Sequence, residues 1–238
     1  MEAFVQDNTK HVLNGHGAAL GLYERGFYVT RCSTPTHALD FQNPAVYGNV
    51  NFVEEYLTRM KYNIRSIGHV PADLVPYAGR DITYMSLGDA LKLENFFIKP
   101  IPEKHKRFTG IVVDSSLTRY KLQQESYSYG IDDTVIVSPV INIVSEWRGF
   151  VCEDELIDCK HYKGDFRIAP DYSIEKHITK WQDRPSAWSC DFGITDTGET
   201  IIVECNDVMS LGWYGLVPAK IGRMLEVRWE EIHKNKST

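Results

Sequence analysis

Asp191, Glu204 and Asn206 are the residues of this chain whose types and spacing most directly imply chemistry. Residues 187–206 alternate in character on either side of Thr197-Gly198, the pattern of two antiparallel strands joined by a tight turn. A two- or four-residue loop centred there sets Asp191 opposite Glu204. Asn206, two residues further on, then shares their face, while Ile201, Val203 and Cys205 take the other, core-facing side. Two carboxylates in direct opposition repel each other, so the pair calls for a cation or a raised pKa. Carboxylate and amide oxygens suit a hard ion, Mg²⁺ or Mn²⁺, shared with phosphate oxygens. The spacing leaves a solvated acidic hairpin as the alternative, and a three-residue bulged loop would break the register and part the carboxylates.

Two further groups carry charge of the opposite kind. Lys99 ends the apolar run Phe96-Phe97-Ile98, and the basic loop Lys104-His105-Lys106-Arg107-Phe108-Thr109-Gly110 follows it. A lysine leaving a rigid strand is a positioned point charge, and a turn with hydroxyl and backbone N–H groups can fold over phosphate oxygens. No GxxxxGK[ST] loop is present, and a solvated basic loop is the alternative. Later, Ser138-Pro139-Val140 connects two apolar strands, and the alternating segment after it delivers Glu146 and Arg148 to one face. Such a connection can offer backbone groups and a flat apolar wall to a purine ring, and Arg148 can fork onto phosphate oxygens. A surface Glu-Arg pair on a sheet is the alternative here.

These groups need a scaffold, and the composition supplies one. The chain has 238 residues, 43% of them hydrophobic, enough for one large domain or two to three small lobes with a real core. A net charge of −6 argues against general nucleic-acid binding. No apolar run reaches the ~18 residues of a membrane span, and the opening Met1-Glu2-Ala3-Phe4 lacks a signal-peptide pattern, so the expected location is cytoplasmic. Five cysteines without CxxC spacing read as reduced thiols.

The patterning predicts strands over 2–6 and 27–32 around a helix over 11–25, then a strand over 44–48 and an amphipathic helix over 50–61 with Val50, Val53 and Leu57 on one side. A short helix over 87–93 ends this α/β unit, placed at 1–92. From 93 to 238 strands dominate: 96–99, 109–113, 134–137, 142–151, 155–160 and the hairpin. A helix piece over 176–181 and a C-terminal helix over 217–234 complete the set.

In this order, Phe96-Phe97-Ile98-Lys99-Pro100, Lys106-Arg107-Phe108-Thr109-Gly110, Ser145-Glu146-Trp147-Arg148, and Asp191 with Glu204-Cys205-Asn206 and Ser210-Leu211-Gly212-Trp213-Tyr214-Gly215 behind them resemble the ATP-grasp superfamily. The compact ATP-grasp proteins of bacteria and their phages are the nearest pattern, over about 93–216. The resemblance implies an α/β N-terminal, pre-ATP-grasp-like domain followed by an α+β ATP-grasp fold of two lobes, with ATP between them. It implies that Lys99 and Lys106 contact the phosphates, with Thr109 and Gly110 in the covering loop, and that Ser138, Pro139 and Val140 lie beside adenine. It also implies that Asp191, Glu204 and Asn206 hold Mg²⁺ (or Mn²⁺). Arg148 matches the family arginine that steadies phosphate charge, Glu146 would touch the nucleotide or orient Arg148, and Lys160 or Lys163 would supply a further basic contact, with Lys160 preferred. Pro139 stands where many relatives carry an acid, which weakens the inference for adenine. Trp213 and Tyr214, after Gly212, either line the site or pack beneath it.

The implied activity is an ATP- and Mg²⁺-dependent carboxylate-amine ligase working through an acyl phosphate, with a small-molecule or peptide carboxylate and an amine acceptor as partners. Lys99 and Arg148 would be its catalytic residues. No protein nucleophile is needed, and no Ser/His/Asp arrangement is evident. A catalytically silent nucleotide- or partner-binding module and a metal-dependent phosphoesterase are the competing expectations.

Overall fold

The computed structural model describes residues 1–7, 12–64, 67, 69–101 and 108–236. The chain opens with β1 (Glu2–Gln6), α1 (Val12–Glu24), β2 (Tyr28–Cys32) and β3 (Ala45–Tyr47), and the three strands form a parallel sheet in the order β2-β1-β3. Parallel neighbours require a crossover, and α1 provides the one between β1 and β2. α2 (Val50–Arg59) follows, started by Asn49, whose side chain accepts from the Phe52 N–H. That bond satisfies one of the donors a helix start leaves open.

A second unit is built from β4 (Thr83–Ser86), α3 (Leu87–Ala90), β5 (Phe96–Pro100), β6 (Ile111–Val113), α4 (Ser116–Glu125) and β7 (Thr134–Pro139). Its antiparallel sheet runs β4-β7-β5-β6. The texture change near residue 93 is not where this lobe starts, because Thr83 to Ser86 pair with Val137 to Thr134 and Leu87 and Ala90 join its core. α4 lies between the expected strands 109–113 and 134–137, where the patterning assigns no element. Its signal is a capping box: the Ser115 side chain accepts from the Thr118 N–H while the Thr118 hydroxyl accepts from the Ser115 N–H. The helix then buries Leu122 in a cluster with Ile98, Ile111, Val113 and Val135.

The third unit contains β8 (Ile143–Cys152), β9 (Glu155–Gly164), α5 (Glu175–Ile178), β10 (Ala187–Thr195) and β11 (Thr200–Asp207), with an antiparallel sheet ordered β11-β10-β8-β9. Period-two alternation divides its sides. Val151, Trp188, Cys190, Phe192, Ile202 and Cys205 fill a core on one face, with Leu74, Ile178 and Trp181. The opposite face carries Phe150 and Ala187 into the N-terminal core at one end and the charged residues at the other.

α6 (Pro218–Lys236) returns the chain to its beginning and packs along α1. The two backbones touch at Gly21 and Gly222: a Cβ on Gly21 would lie 2.1 Å from the Pro218 carbonyl oxygen, and one on Gly222 2.1 Å from the Gly21 carbonyl oxygen. Met224, Leu225 and Trp229 of α6 complete the core of the parallel sheet, and the Trp229 indole N–H donates to the Val46 carbonyl at 2.9 Å. The N-terminal α/β unit is therefore closed by the C-terminal helix. No helix among the described residues is long and apolar enough to cross a membrane. All five cysteines are free thiols, and Cys32, Cys152, Cys190 and Cys205 are buried.

Candidate active site

The third sheet sets one row of side chains across four strands. Lys160 of β9 stands opposite Arg148 of β8, Arg148 opposite Asp191 of β10, and Asp191 opposite Glu204 of β11. Residues directly opposed in antiparallel strands share a face, so two cations and two carboxylates lie side by side. The expected pairing of Asp191 with Glu204 is the observed register, although the turn is not the expected one. Near the turn Phe192 pairs with Ile202, and a bulge between Asp191 and Phe192 leaves Val203 over and restores the pairing of Asp191 with Glu204. The bulge thus keeps the carboxylates together, and it alters the core side: Ile202 joins Cys205 in the apolar cluster, Ile201 is buried beside Gly79, and Val203 is only half-buried.

Arg148 is fixed on three sides. Its Nε and Nη2 donate to the two carboxylate oxygens of Asp191 at 2.7 and 2.6 Å, and its Nη1 donates to the Gly212 carbonyl at 3.1 Å. The Tyr214 ring lies 5.0 Å and the Tyr162 ring 5.8 Å from the guanidinium carbon, and the two rings stack at 4.8 Å. Burial pushes the Asp191 carboxyl up to about 6 against the pull of Arg148, with Glu204 and Glu146 adding to the rise. Burial alone would lower the Arg148 guanidinium, but the bonds and charge of Asp191 hold it above its ordinary value. The fork geometry of the pair is the strong form of such a contact.

Glu204 reaches the other lobe. Lys99, from β5, donates to Glu204 Oε2 at 2.6 Å, and Asn206 donates to Glu204 Oε1 at 3.1 Å. Lys99 Nζ also lies 3.0 Å from Nδ1 of the buried His69, whose Nε2 is 3.3 Å from Arg80 Nη2. Arg80 is anchored in turn by donating to the carbonyls of Ala78, Ile202 and Val203. His69, Arg80, Tyr162 and the Gly212 carbonyl escape sequence reasoning, because no local spacing links them to the row. Trp213 and Tyr214 divide the two roles open to them: Tyr214 faces the cavity, while Trp213 is buried and stacks on Tyr47 and Phe150.

A cavity of about 620 Å³ opens between the lobes. Of the expected site residues, Lys99, Thr109, Gly110, Arg148, Glu204 and Asn206 line it. Asp191 sits behind Arg148. Glu146 is set apart, held by the Tyr162 hydroxyl at 2.8 Å and by Lys163. Lys160 pairs with Asp158 at 3.0 Å. Ser138 and Pro139 end β7, Ser138 opposite Phe97, and Val140 begins the connection to β8; the three are not among the cavity-lining residues. Lys106, with His105, lies outside the described residues.

The model of an ATP-grasp domain family, the second family of its clade, matches residues 77–224. The chain belongs to the ATP-grasp family. The match begins just ahead of β4 and so takes in the lobe boundary seen in the fold. Solved structures of similar fold are ATP-grasp ligases. A D-alanine–D-alanine ligase from Bacillus anthracis complexed with ATP is 12% identical at a TM-score of 0.55, covering 99% of this chain and 98% of that one. An ADP complex of N5-carboxyaminoimidazole ribonucleotide synthetase gives a TM-score of 0.65 at 10% identity, over 96% and 76%. A RimK domain ATP-grasp protein from Sphaerobacter thermophilus gives 0.58 at 12%, over 95% and 98%. Comparison with curated proteins finds no match by sequence.

Proposed function

We propose that this ATP-grasp protein is an ATP- and Mg²⁺-dependent ligase that joins a carboxylate to an amine through an acyl phosphate. One observation carries the reading: Lys99 of one lobe and Arg148, Glu204 and Asn206 of the other line a single cavity, with Asp191 behind Arg148. The nucleotides in two of the similar structures, ATP and ADP, support it.

The donor set fits the ion. Among the described residues no cluster of three or more His, Cys, Asp or Glu side chains could hold a metal. Glu204 and Asn206 instead offer one carboxylate and one amide oxygen at the cavity, whereas both Asp191 oxygens are taken by Arg148 and Asp191 does not line the cavity, so Mg²⁺ would be held by Glu204 and Asn206 together with phosphate oxygens. When bound, the ion would neutralise phosphate charge and polarise the transferring group. Each nearby protein group has a corresponding task. Lys99, released from Glu204, is a point charge for phosphate oxygens. Arg148 keeps two of its nitrogens on Asp191 and one on Gly212, so its position is set before substrate arrives. Tyr214 covers it from the cavity side. Transfer of the γ-phosphoryl group to the substrate carboxylate and attack by the amine, expelling phosphate, require positioning and charge neutralisation from these residues, with no protein nucleophile. Ser138, Pro139 and Val140, in the connection between lobes, are assigned to adenine, and Glu146, Lys160, Thr109 and Gly110 to the remaining nucleotide contacts.

ADP release with mixed amino acids and peptides as acceptors tests the proposal. Lys99→Ala and Glu204→Gln should each lower the rate by about 100-fold or more. If both leave Mg-ATP binding and ADP release at wild-type levels, the site is wrongly assigned.

A further inference from the structure

The cavity has two ends of unlike chemistry. Lys99, Arg148, Glu204 and Asn206 make one end charged. The other is a face of α2: Val50, Val53 and Leu57 recur at the three- and four-residue spacing that aligns side chains on a helix, and Ile64 and Ile67 extend the wall. Val53 is packed into the N-terminal core, whereas Val50, Leu57, Ile64 and Ile67 keep part of their surface open. Phosphate needs donors and cations, and these five side chains offer neither, so nucleotide phosphates do not account for this end. An apolar wall facing a charged end suits a molecule that is itself divided in that way. Glu54, beside Val53 on the same wall, adds a carboxylate, the charge complement of an ammonium group.

The geometry points to an amino acid with a branched aliphatic or aromatic side chain as the carboxylate substrate, its carboxylate directed to Lys99 and Arg148 and its side chain seated on Val50, Leu57, Ile64 and Ile67. This assignment rests on the ligase reading for the role of the bound acid, but the binding itself is measurable without turnover. Val50 is the first residue of α2, where an acidic side chain is favourable to the helix, so Val50→Asp changes the wall without opposing the fold.

Calorimetric titration of the full chain, with Mg²⁺ and a nonhydrolysable ATP analogue present, compares leucine, valine and phenylalanine with alanine, aspartate and lysine. The apolar three should bind at least about 10-fold more tightly than the others, the discrimination expected of an apolar pocket. Val50→Asp, confirmed as folded by its melting transition, should weaken leucine by about 10-fold. Equal binding of all six, preference for aspartate or lysine, absence of binding by the apolar three, or unchanged leucine affinity in Val50→Asp overturns the assignment. ADP release in the same samples separates the two proposals: leucine that binds with this selectivity yet drives no ADP release with any amine supports the apolar site and sinks the ligase reading.

Discussion

The charge row depends most on Arg148 and Asp191, whose side chains are only 9% and 3% exposed. A buried ion pair adds little net stability, since desolvation offsets attraction, yet removing one partner strands the other. Arg148→Met should therefore cost about 3–5 kcal/mol. Arg148→Met combined with Asp191→Leu should regain most of that loss while ADP release stays near zero. Urea unfolding and product assays read the two quantities separately, and a fully stable Arg148→Met would show that Asp191 is not dependent on its partner. Much of this row is legible in the sequence. Alternation is enough to put Glu204 and Asn206 on one face, whereas the pairing of Asp191 with Glu204 depends also on the bulge beside Phe192, which compensates for the unexpected turn. His69 and Arg80 stay hidden because their link to Lys99 is made by chain folding, and neither has a neighbour in sequence that announces it.

Among the elements, α6 carries the clearest expectations. Its contact with α1 has no room for a methyl group at Gly21 or Gly222, because the obstructing atoms are backbone. Gly222→Ala should cost about 1–3 kcal/mol by forcing the helices apart, measurable as a lowered urea midpoint. Acid should also loosen this helix. His233 accepts from the Tyr62 hydroxyl on Nδ1 and donates from Nε2 to the Pro44 carbonyl, and burial first, then Lys236, holds its pKa below 6.5 against the Pro44 bond. A folded pKa below the unfolded one means that the unfolded chain binds the proton first. This stability is complete above pH about 6.5 and is lost as pH falls through the folded value. Glu231, bonded to Ser186 and Arg228, lies below 4.5 although burial alone would raise it, so its contribution is complete above about 4.5 and is lost further down. Asp191, pushed up to about 6 by burial, acts in the opposite sense, gaining stability as pH falls from about 6 toward 3.8. The two contributions are therefore read as differences: the urea midpoint of the wild type relative to His233→Gln should fall on acidification below about 6.5, and relative to Glu231→Gln below about 4.5. α2, β1 and β8 follow from periodicity within a residue or two, whereas α4 does not, because its helix is declared by a capping box and buries little.

At the scale of the whole chain, the first ninety or so residues do not form an independent body, because α6 supplies part of their core. Residues 1–92 expressed alone should lack a cooperative thermal transition, and adding residues 218–236 as a separate peptide should restore helical signal by far-UV circular dichroism. A cooperative transition in the isolated segment would contradict the shared core.

Residue order was sufficient for a hairpin that carries Asp191, Glu204 and Asn206 on one face, for the succession of lysine, arginine and acidic groups, and thereby for the ATP-grasp character of the chain. Those properties are local, set by side-chain period and residue type within single strands. Folding in three dimensions was needed to close Lys99 on Glu204 from the opposing lobe, commit Arg148 to Asp191, assign β4 to the second lobe and lend the cavity an apolar wall from α2. Each of these joins residues far apart in the chain, and such contacts are selected by burying surface and pairing charge across elements, which no window of sequence records.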